Sequence, residues 1–339
     1  MLHQEWAEFF PNSELGTNYS KKIQKLSSED QNYYISFCNF GTLLTEGAIN
    51  FMTSKNTTKT LIEASNFNNC TNTKRRGGIL YFSTEGECVQ NRICSLKSNS
   101  AYRYMYCYVD VSEFGAYKNK ILNSLISESG NLYNYTHDNI YLKNGEAEIN
   151  SINISYNNLE YLNLLSISDY YSSSRASFST LINNTDTLQK NYDRFAYISY
   201  SQKTFLIKSC NYLSNNLIVI IGASMANFKL VNCSFINNTG RYFYIAQYTY
   251  PDASYESQHS IIDGCYIDES IPYSWDVYFT NNEANPFKIE YPNLTCEFVI
   301  PEPKNEEETE IIYVNRKKIN FKNLPFLFFQ SFVIISLSK

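Results

Sequence analysis

The chain has 339 residues, 43% of them apolar and 18% charged, with a formal net charge of −5. The apolar share is enough for a continuous core, and the weak acidity leaves no basic surplus to neutralise phosphates, which argues against nucleic acid as a partner. Thirty tyrosines and 22 phenylalanines favour sheet over helix. With only 12 glycines, the turns are expected to fall to asparagine, which tolerates left-handed backbone.

Residues 1–30 read as an N-terminal cap or lead-in. They carry no cationic start followed by an apolar run, so no signal peptide is predicted there. From about residue 31 a short motif recurs: an apolar residue, a small anchor (usually Cys or Ser) three places on, a second apolar residue two places after that, then Asn or Ser. The anchors are Cys38, Ser65, Cys94, Ser124, Ile152, Thr180, Cys210, Cys233 and Cys265, separated by 27, 29, 30, 28, 28, 30, 23 and 32 residues. Repeats of this length mean stacked supersecondary units. Alternation within each copy is period two, as in Val231, Cys233 and Phe235 against Asn232 and Ser234. Residues 31–300 are therefore expected to form an all-β parallel β-helix of roughly nine coils. A leucine-rich repeat would need Leu at the anchors, and they are not Leu.

The register has consequences for side chains. Cys210, Cys233 and Cys265 should point inward on neighbouring rungs. Asn157-Asn158, Asn183-Asn184, Asn215-Asn216 and Asn237-Asn238 should turn the chain and stack as amide ladders. The nine cysteines read either as buried small apolar residues or as including at least one disulfide. Gly77-Gly78 is expected to relieve a tight corner before Ile79–Phe82. Ser270–Thr295, with Pro272, Trp275, Pro286 and Pro292, is expected to cap the last rung. Residues 301–323 read as a charged linker and 324–339 as an apolar C-terminal tail. As a helix, Leu324–Leu337 would span about 21 Å, short of the roughly 30 Å hydrocarbon core. A terminal packing segment, a short membrane anchor and a removable lipid-anchor signal all remain open for it.

No catalytic, cofactor or metal site is predicted. There is no CxxC pair, and the only histidines are His3, His137 and His259. Asn184-Thr185-Asp186 looks like the first motif of pectin-degrading glycosidases, but no Asp-Asp dipeptide or Gly-His-Gly follows, so a turn is the better reading. Asp263, Asp268, Glu269 and Asp276 read as a solvated edge rather than a calcium site. Gly-x-Ser-x-Gly is absent. The nine Asn-x-Ser/Thr sequons match the number chance would give in so Asn- and Ser-rich a chain. The remaining candidates for ligand binding are aromatic. Tyr102, Tyr104, Tyr106 and Tyr108 alternate as if on one strand face, and Tyr242 and Tyr244 form a second group. Exposed tyrosines on a flat sheet suit glycan or protein recognition, whereas buried ones would be stacked core.

Ser65-Asn66-Phe67-Asn68-Asn69-Cys70, Gly77-Gly78-Ile79-Leu80-Tyr81-Phe82, Val89-Gln90-Asn91-Arg92-Ile93-Cys94 and Ile207-Lys208-Ser209-Cys210-Asn211-Tyr212 resemble segments of a large trichomonad family. Its members are predicted right-handed β-helix surface proteins, loosely similar to bacterial polymorphic outer-membrane adhesins. The similarity spans roughly residues 33–280. It implies a right-handed β-helix of the pectin lyase-like kind in a cell-surface or secreted protein engaged in adhesion, with a host glycan or protein as partner. The chain departs from the family in that neither a secretory leader nor a full membrane span is predicted, and the C-terminal tail is the segment that remains for membrane association. No catalytic residues carry over. The alternatives are a β-helix polysaccharide lyase or hydrolase, and an intracellular structural scaffold.

Overall fold

The computed structural model describes residues 2–290, apart from 16, 21–31, 42–46, 52–54, 74–76, 84, 102–103, 114, 131–137, 160–163, 187–197, 200–202, 225, 247–259 and 269–276. Residues 301–339, the expected linker and tail, lie outside that description, as do Tyr102, Pro272 and Trp275. Among the described residues no helix is long and apolar enough to cross a membrane.

The chain winds as a parallel β-solenoid with three faces. The first face includes Tyr33–Ser36, Lys118–Leu122, Glu146–Asn150, Thr204–Lys208 and Asn227–Val231. The second includes Asn39–Gly41, Leu125–Ser127, Asn153–Ser155, Thr180–Ile182, Asn211–Leu213 and Ser234–Ile236. Lys59–Asn68 and Glu87–Leu96 run through both. Ile49–Phe51, Leu80–Ser83, Cys107–Asp110, Ile140–Lys143, Leu165–Ser168 and Asn216–Ser224 belong to the third. Complete turns are somewhat fewer than the nine that the anchors suggest.

The anchor motif has a specific hydrogen-bonding reason. Between the first and second faces the chain turns on one left-handed residue: Phe37, Ala64, Arg92, Asn123, Ser151, Phe178, Ser209, Asn232 or Gly264. The next residue faces inward, and in several rungs its side chain bonds in two directions, whereas Ile93 and Ile152 fill the same position with apolar side chains. Ser124 Oγ donates to Leu122 O at 2.6 Å and accepts from the Ile93 N–H at 3.0 Å. Ser65 Oγ donates to Glu63 O at 2.8 Å and accepts from the Cys38 N–H at 3.1 Å. Cys233 Sγ accepts from the Cys210 N–H at 3.5 Å, and Cys265 Sγ from the Cys233 N–H at 3.2 Å. Only a small side chain that donates and accepts can do both in a lumen where an unmet N–H costs about 1–3 kcal/mol.

The expected stack of Cys210, Cys233 and Cys265 is present: they are buried on successive rungs. Two anchors move by one residue. The register aligns Ser65 with Ile93, and places Ser179 rather than Thr180 beside Ile152, whose N–H Ser179 Oγ accepts at 3.3 Å. Cys94 therefore faces outward from the second face. Two adjacent small or apolar residues made the offset ambiguous, and a one-residue slip exchanges faces.

The second corner carries the expected amide ladder. Nδ2 of Asn157, Asn184 and Asn215 each donates at 2.9 Å to Oδ1 of the asparagine one rung on, ending at Asn238. The same Oδ1 atoms accept the backbone N–H of the rung below, and each Nδ2 also reaches a backbone carbonyl, as Asn215 does at Leu181. Asn184 is thus a ladder residue, and Thr185-Asp186 is a two-residue strand. The left-handed residues that precede the ladder are not all asparagine: Lys97, Glu128, Tyr156 and Ser214 share the role with Asn69, Asn183 and Asn237. Rung-to-rung bonds such as Tyr156 N–H to Ile182 O at 3.1 Å hold them there against about 1–2 kcal/mol of strain each. Gly77 and Gly78 do meet a tight corner: a Cβ on either would lie 2.1 Å from a carbonyl oxygen, of Leu80 and Met105 respectively.

The lumen is apolar and ring-stacked, with Phe40 on Phe67 and Tyr212 on Phe235, both at 4.6 Å between centroids. A smaller cluster lies outside it. The helix Leu2–Phe9 lays Trp6, with Phe10 just beyond its end, over Tyr34, Leu61 and Val89 on the outer side of the first face. Glu5 on that helix meets Arg92 at 3.0 Å, and the Tyr34 hydroxyl lies 2.9 Å from Glu5 and 2.8 Å from the buried Glu63. Burial raises the Glu63 carboxyl above its ordinary range, opposed by Tyr34 and Arg92. At the other end, Val277–Thr280 adds a rung to the first face. Residues 281–290, expected to cap the last rung, are described beyond it and run back across the outer side of the second face, where Asn211 bonds both N–H and O of Ile289.

Asn215→Ala should cost about 3 kcal/mol, because it orphans several buried ladder groups at once; Asn216→Ala, one residue on and exposed, should change stability by less than about 0.5 kcal/mol. Urea unfolding of the two variants measures the contrast, and equal losses would contradict the ladder. Tyr156 is 60% exposed at φ 55°, so Tyr156→Asn should stabilise by about 0.5–1 kcal/mol, read as a higher denaturation midpoint.

Candidate functional site on the third face

The third face carries an aromatic strip on its outer side. In three successive rungs the strand reads apolar–Tyr–apolar: Leu80-Tyr81-Phe82, Cys107-Tyr108-Val109 and Ile140-Tyr141-Leu142. The apolar residues fill the lumen, so period two sends the tyrosines outward. Tyr81 and Tyr108 stack at 5.3 Å, Tyr108 and Tyr141 at 5.2 Å with planes 2° apart. Tyr104 leans over the last two at 5.0 and 4.7 Å. A stack of this kind covers ring faces and presents edges and hydroxyl groups.

Carboxylates surround it. Tyr108 donates to Asp110 at 3.2 Å, and Asp110 also accepts from Asn144 at 2.9 Å and from Lys143 at 3.4 Å. Burial pushes the Asp110 carboxyl above its usual range, against the opposing pull of Lys143, Tyr108 and Asn144. Burial likewise raises the Tyr141 phenol; Ser168 opposes it, while Asp138, Asp169 and Asp110 add to it. Just before the strand Ile140–Lys143, Asn139 is fully buried and neither atom of its side-chain amide meets a partner among the described residues, a condition that a bound water or ligand group relieves.

The sequence-predicted aromatics divide between the outer strip and the lumen. Tyr104 and Tyr108 join the strip but are buried within it, each 6% exposed, whereas Tyr81 and Tyr141 are half-buried. Tyr106 does not share their face: it is fully buried in the lumen and donates to Gln90 at 2.6 Å. The left-handed turn at Tyr104 (φ 60°) breaks the alternation that placed the four on one face. Tyr242 is buried and donates to Asp268 at 2.6 Å. Tyr244 lies in the strand Thr239–Ala246, and Tyr102 lies outside the described residues. Tyr81 and Tyr141 were missed, although aligning the third strand of consecutive coils would have found them.

Elsewhere, Asp263 is half-buried and held below its usual range by hydrogen bonds from Asn281 and Thr280; Glu269 and Asp276 are not among the described residues. No cluster of His, Cys, Asp and Glu suited to a metal occurs among the described residues. An apolar cavity inside the solenoid is lined by Leu165, Leu181, Phe205, Ile207, Tyr212 and Ile220, among others, a lining without catalytic groups. No family model matches the chain, and neither the curated proteins nor the solved structures contain a match.

A carboxyl with a raised folded-state pKa favours the folded state most when protonated, and that contribution is lost as pH rises through the folded value. The Asp110 carboxyl, followed by carbon-detected NMR, should therefore titrate above 3.8, and Lys143→Met should raise its midpoint further. A midpoint at or below 3.8 would contradict the geometry.

Proposed function

We propose that this chain is a non-enzymatic binding scaffold that presents the third-face strip to a glycan or a protein surface. The observation that carries the reading is the strip itself: Tyr81, Tyr108 and Tyr141 aligned on three rungs, their edges flanked by Asp110 and Lys143. Rigid rings with polar tips lose little conformational entropy on binding, and the charged neighbours add hydrogen-bond partners for hydroxyl-rich ligands. A regular rod suits display, and the resemblance of its motifs to those of trichomonad surface proteins argues for adhesion at a cell surface or after secretion. Surface labelling of intact cells separates this from an intracellular scaffold. Binding to immobilised glycans and host-surface proteins should weaken at least tenfold in Tyr81→Ala/Tyr141→Ala, with an unchanged circular dichroism spectrum. Unchanged binding in that variant would overturn the assignment of the strip.

A polysaccharide-cleaving reading has one observation in its favour: Asp110, Asp138 and Asp169 all act on Tyr141, with Lys143 alongside. General acid–base chemistry needs such carboxylates. Release of reducing ends or unsaturated products from acidic polysaccharides, abolished by Asp110→Asn, would favour that reading over binding alone.

A further inference from the structure

The helix Leu2–Phe9 lies against the outer side of the first face, and two groups of charges hold it there. At its C-terminal end Lys118 Nζ donates to Phe9 O, and Lys59 and Lys118 stand 5.7 and 5.0 Å from the centre of the Phe10 ring. These cations have carboxylates of their own: Lys59 meets Glu87 at 4.0 Å, and Glu87 and Glu146 both act on Lys118. Further up the helix, Glu5 enters the cluster of Tyr34, Glu63 and Arg92. Arg92 Nη2 spans both carboxylates, 3.0 Å from Glu5 Oε1 and 2.9 Å from Glu63 Oε1. Among the described residues no other cation pairs with either.

The Tyr34 hydroxyl stands between the remaining oxygens, 2.9 Å from Glu5 Oε2 and 2.8 Å from Glu63 Oε2. A hydroxyl carries one hydrogen and donates to one carboxylate only. The second oxygen at that distance needs a hydrogen of its own, which a protonated carboxyl supplies by donating to Tyr34 Oη. The charge count agrees. Two carboxylates against one guanidinium leave one negative charge in excess, and one proton removes it. Glu63 is the carboxyl placed to hold that proton: it is 1% exposed, against 25% for the Glu5 side chain. Burial raises the Glu63 carboxyl above its ordinary range and Glu5 adds to the rise, while Tyr34, Arg92 and Asn91 oppose it.

We propose that the helix is a proton-dependent latch: it lies down on the first face when the Glu5–Tyr34–Glu63 trio holds one extra proton, and lifts as that proton leaves, uncovering Tyr34, Leu61 and Val89. With both carboxylates ionised, one of the two short contacts to Tyr34 Oη has no hydrogen. Glu63 keeps its share, because Asn91 Nδ2 also donates to it at 2.8 Å, and Glu5 withdraws with the helix. A raised carboxyl contributes to docking fully below its undocked value, and the contribution is lost as pH rises through the docked value. Acid surroundings therefore keep the row covered, and a rise in pH opens it. The latch is independent of the third-face strip and stands or falls separately.

The test is amide hydrogen exchange of the full chain between about pH 4 and pH 9, corrected for the intrinsic exchange rate, which gives the opening constant of residues 2–9. In the wild type that constant should rise by about tenfold or more in total, by up to tenfold per pH unit, and then level off. In Glu63→Gln, whose neutral amide stands in for the protonated carboxyl, it should change less than about twofold. Amides of Lys59–Asn68 should stay protected throughout, which separates lifting of the helix from unfolding of the rod. His3→Gln should keep the rise. An opening constant that is flat or falls with pH in the wild type, the same rise in Glu63→Gln, or a rise that disappears in His3→Gln would overturn the proposal.

Discussion

The rest of the structure depends on one constraint, the orphan amide at the corner between the first and second faces. Turning the chain through a single left-handed residue aims the next N–H along the solenoid axis with no strand partner. The small inward side chain of the following rung accepts it while donating to its own carbonyl two residues back. This favours serine or cysteine at the position, although Ile93 and Ile152 occupy it in two rungs, and it ties residue type to register, because the acceptor must lie one rung on. The asparagine ladder does the same at the second corner with an amide that has one more donor. Between them the two corners define the lumen, which apolar residues fill by period-two alternation.

With register fixed at two corners, the outer sides of the faces become available for separate uses. On the first, Trp6 and Phe10 sit over Tyr34, Leu61 and Val89, and the Glu5–Tyr34–Glu63–Arg92 cluster fastens the helix at its polar side. On the second, polar side chains in one row pair with the backbone of residues 287–289. On the third, the row is aromatic, with charged neighbours. The lumen makes the rod, and the outer rows give each face its own chemistry.

Much of the fold was legible in the sequence. The period, the alternation, the asparagine corners and the Cys210–Cys233–Cys265 stack all follow from spacing. What could not be read was local. Cys94 and Thr180 pass for anchors because each neighbours the true one, and nothing in one sequence distinguishes an inward small residue from an outward one beside it. Phe37, Phe178 and Tyr156 occupy left-handed positions that composition assigned to asparagine, because rung-to-rung bonds override the local preference. The candidate site was half legible. Tyr104 and Tyr108 stood out in a dense run, but Tyr81 and Tyr141 lie in other coils and join them only through register. Tyr106 went to the lumen because the turn at Tyr104 shifts the phase of the strand.

The central claim is that small polar anchors stack in line inside a three-faced solenoid. Anomalous sulfur scattering from crystals of the protein tests it most directly. The account predicts the sulfurs of Cys210, Cys233 and Cys265 in a single row within the lumen, one rung (about 4.8 Å) apart. Sulfurs at the surface, or separated by several rungs, would contradict it.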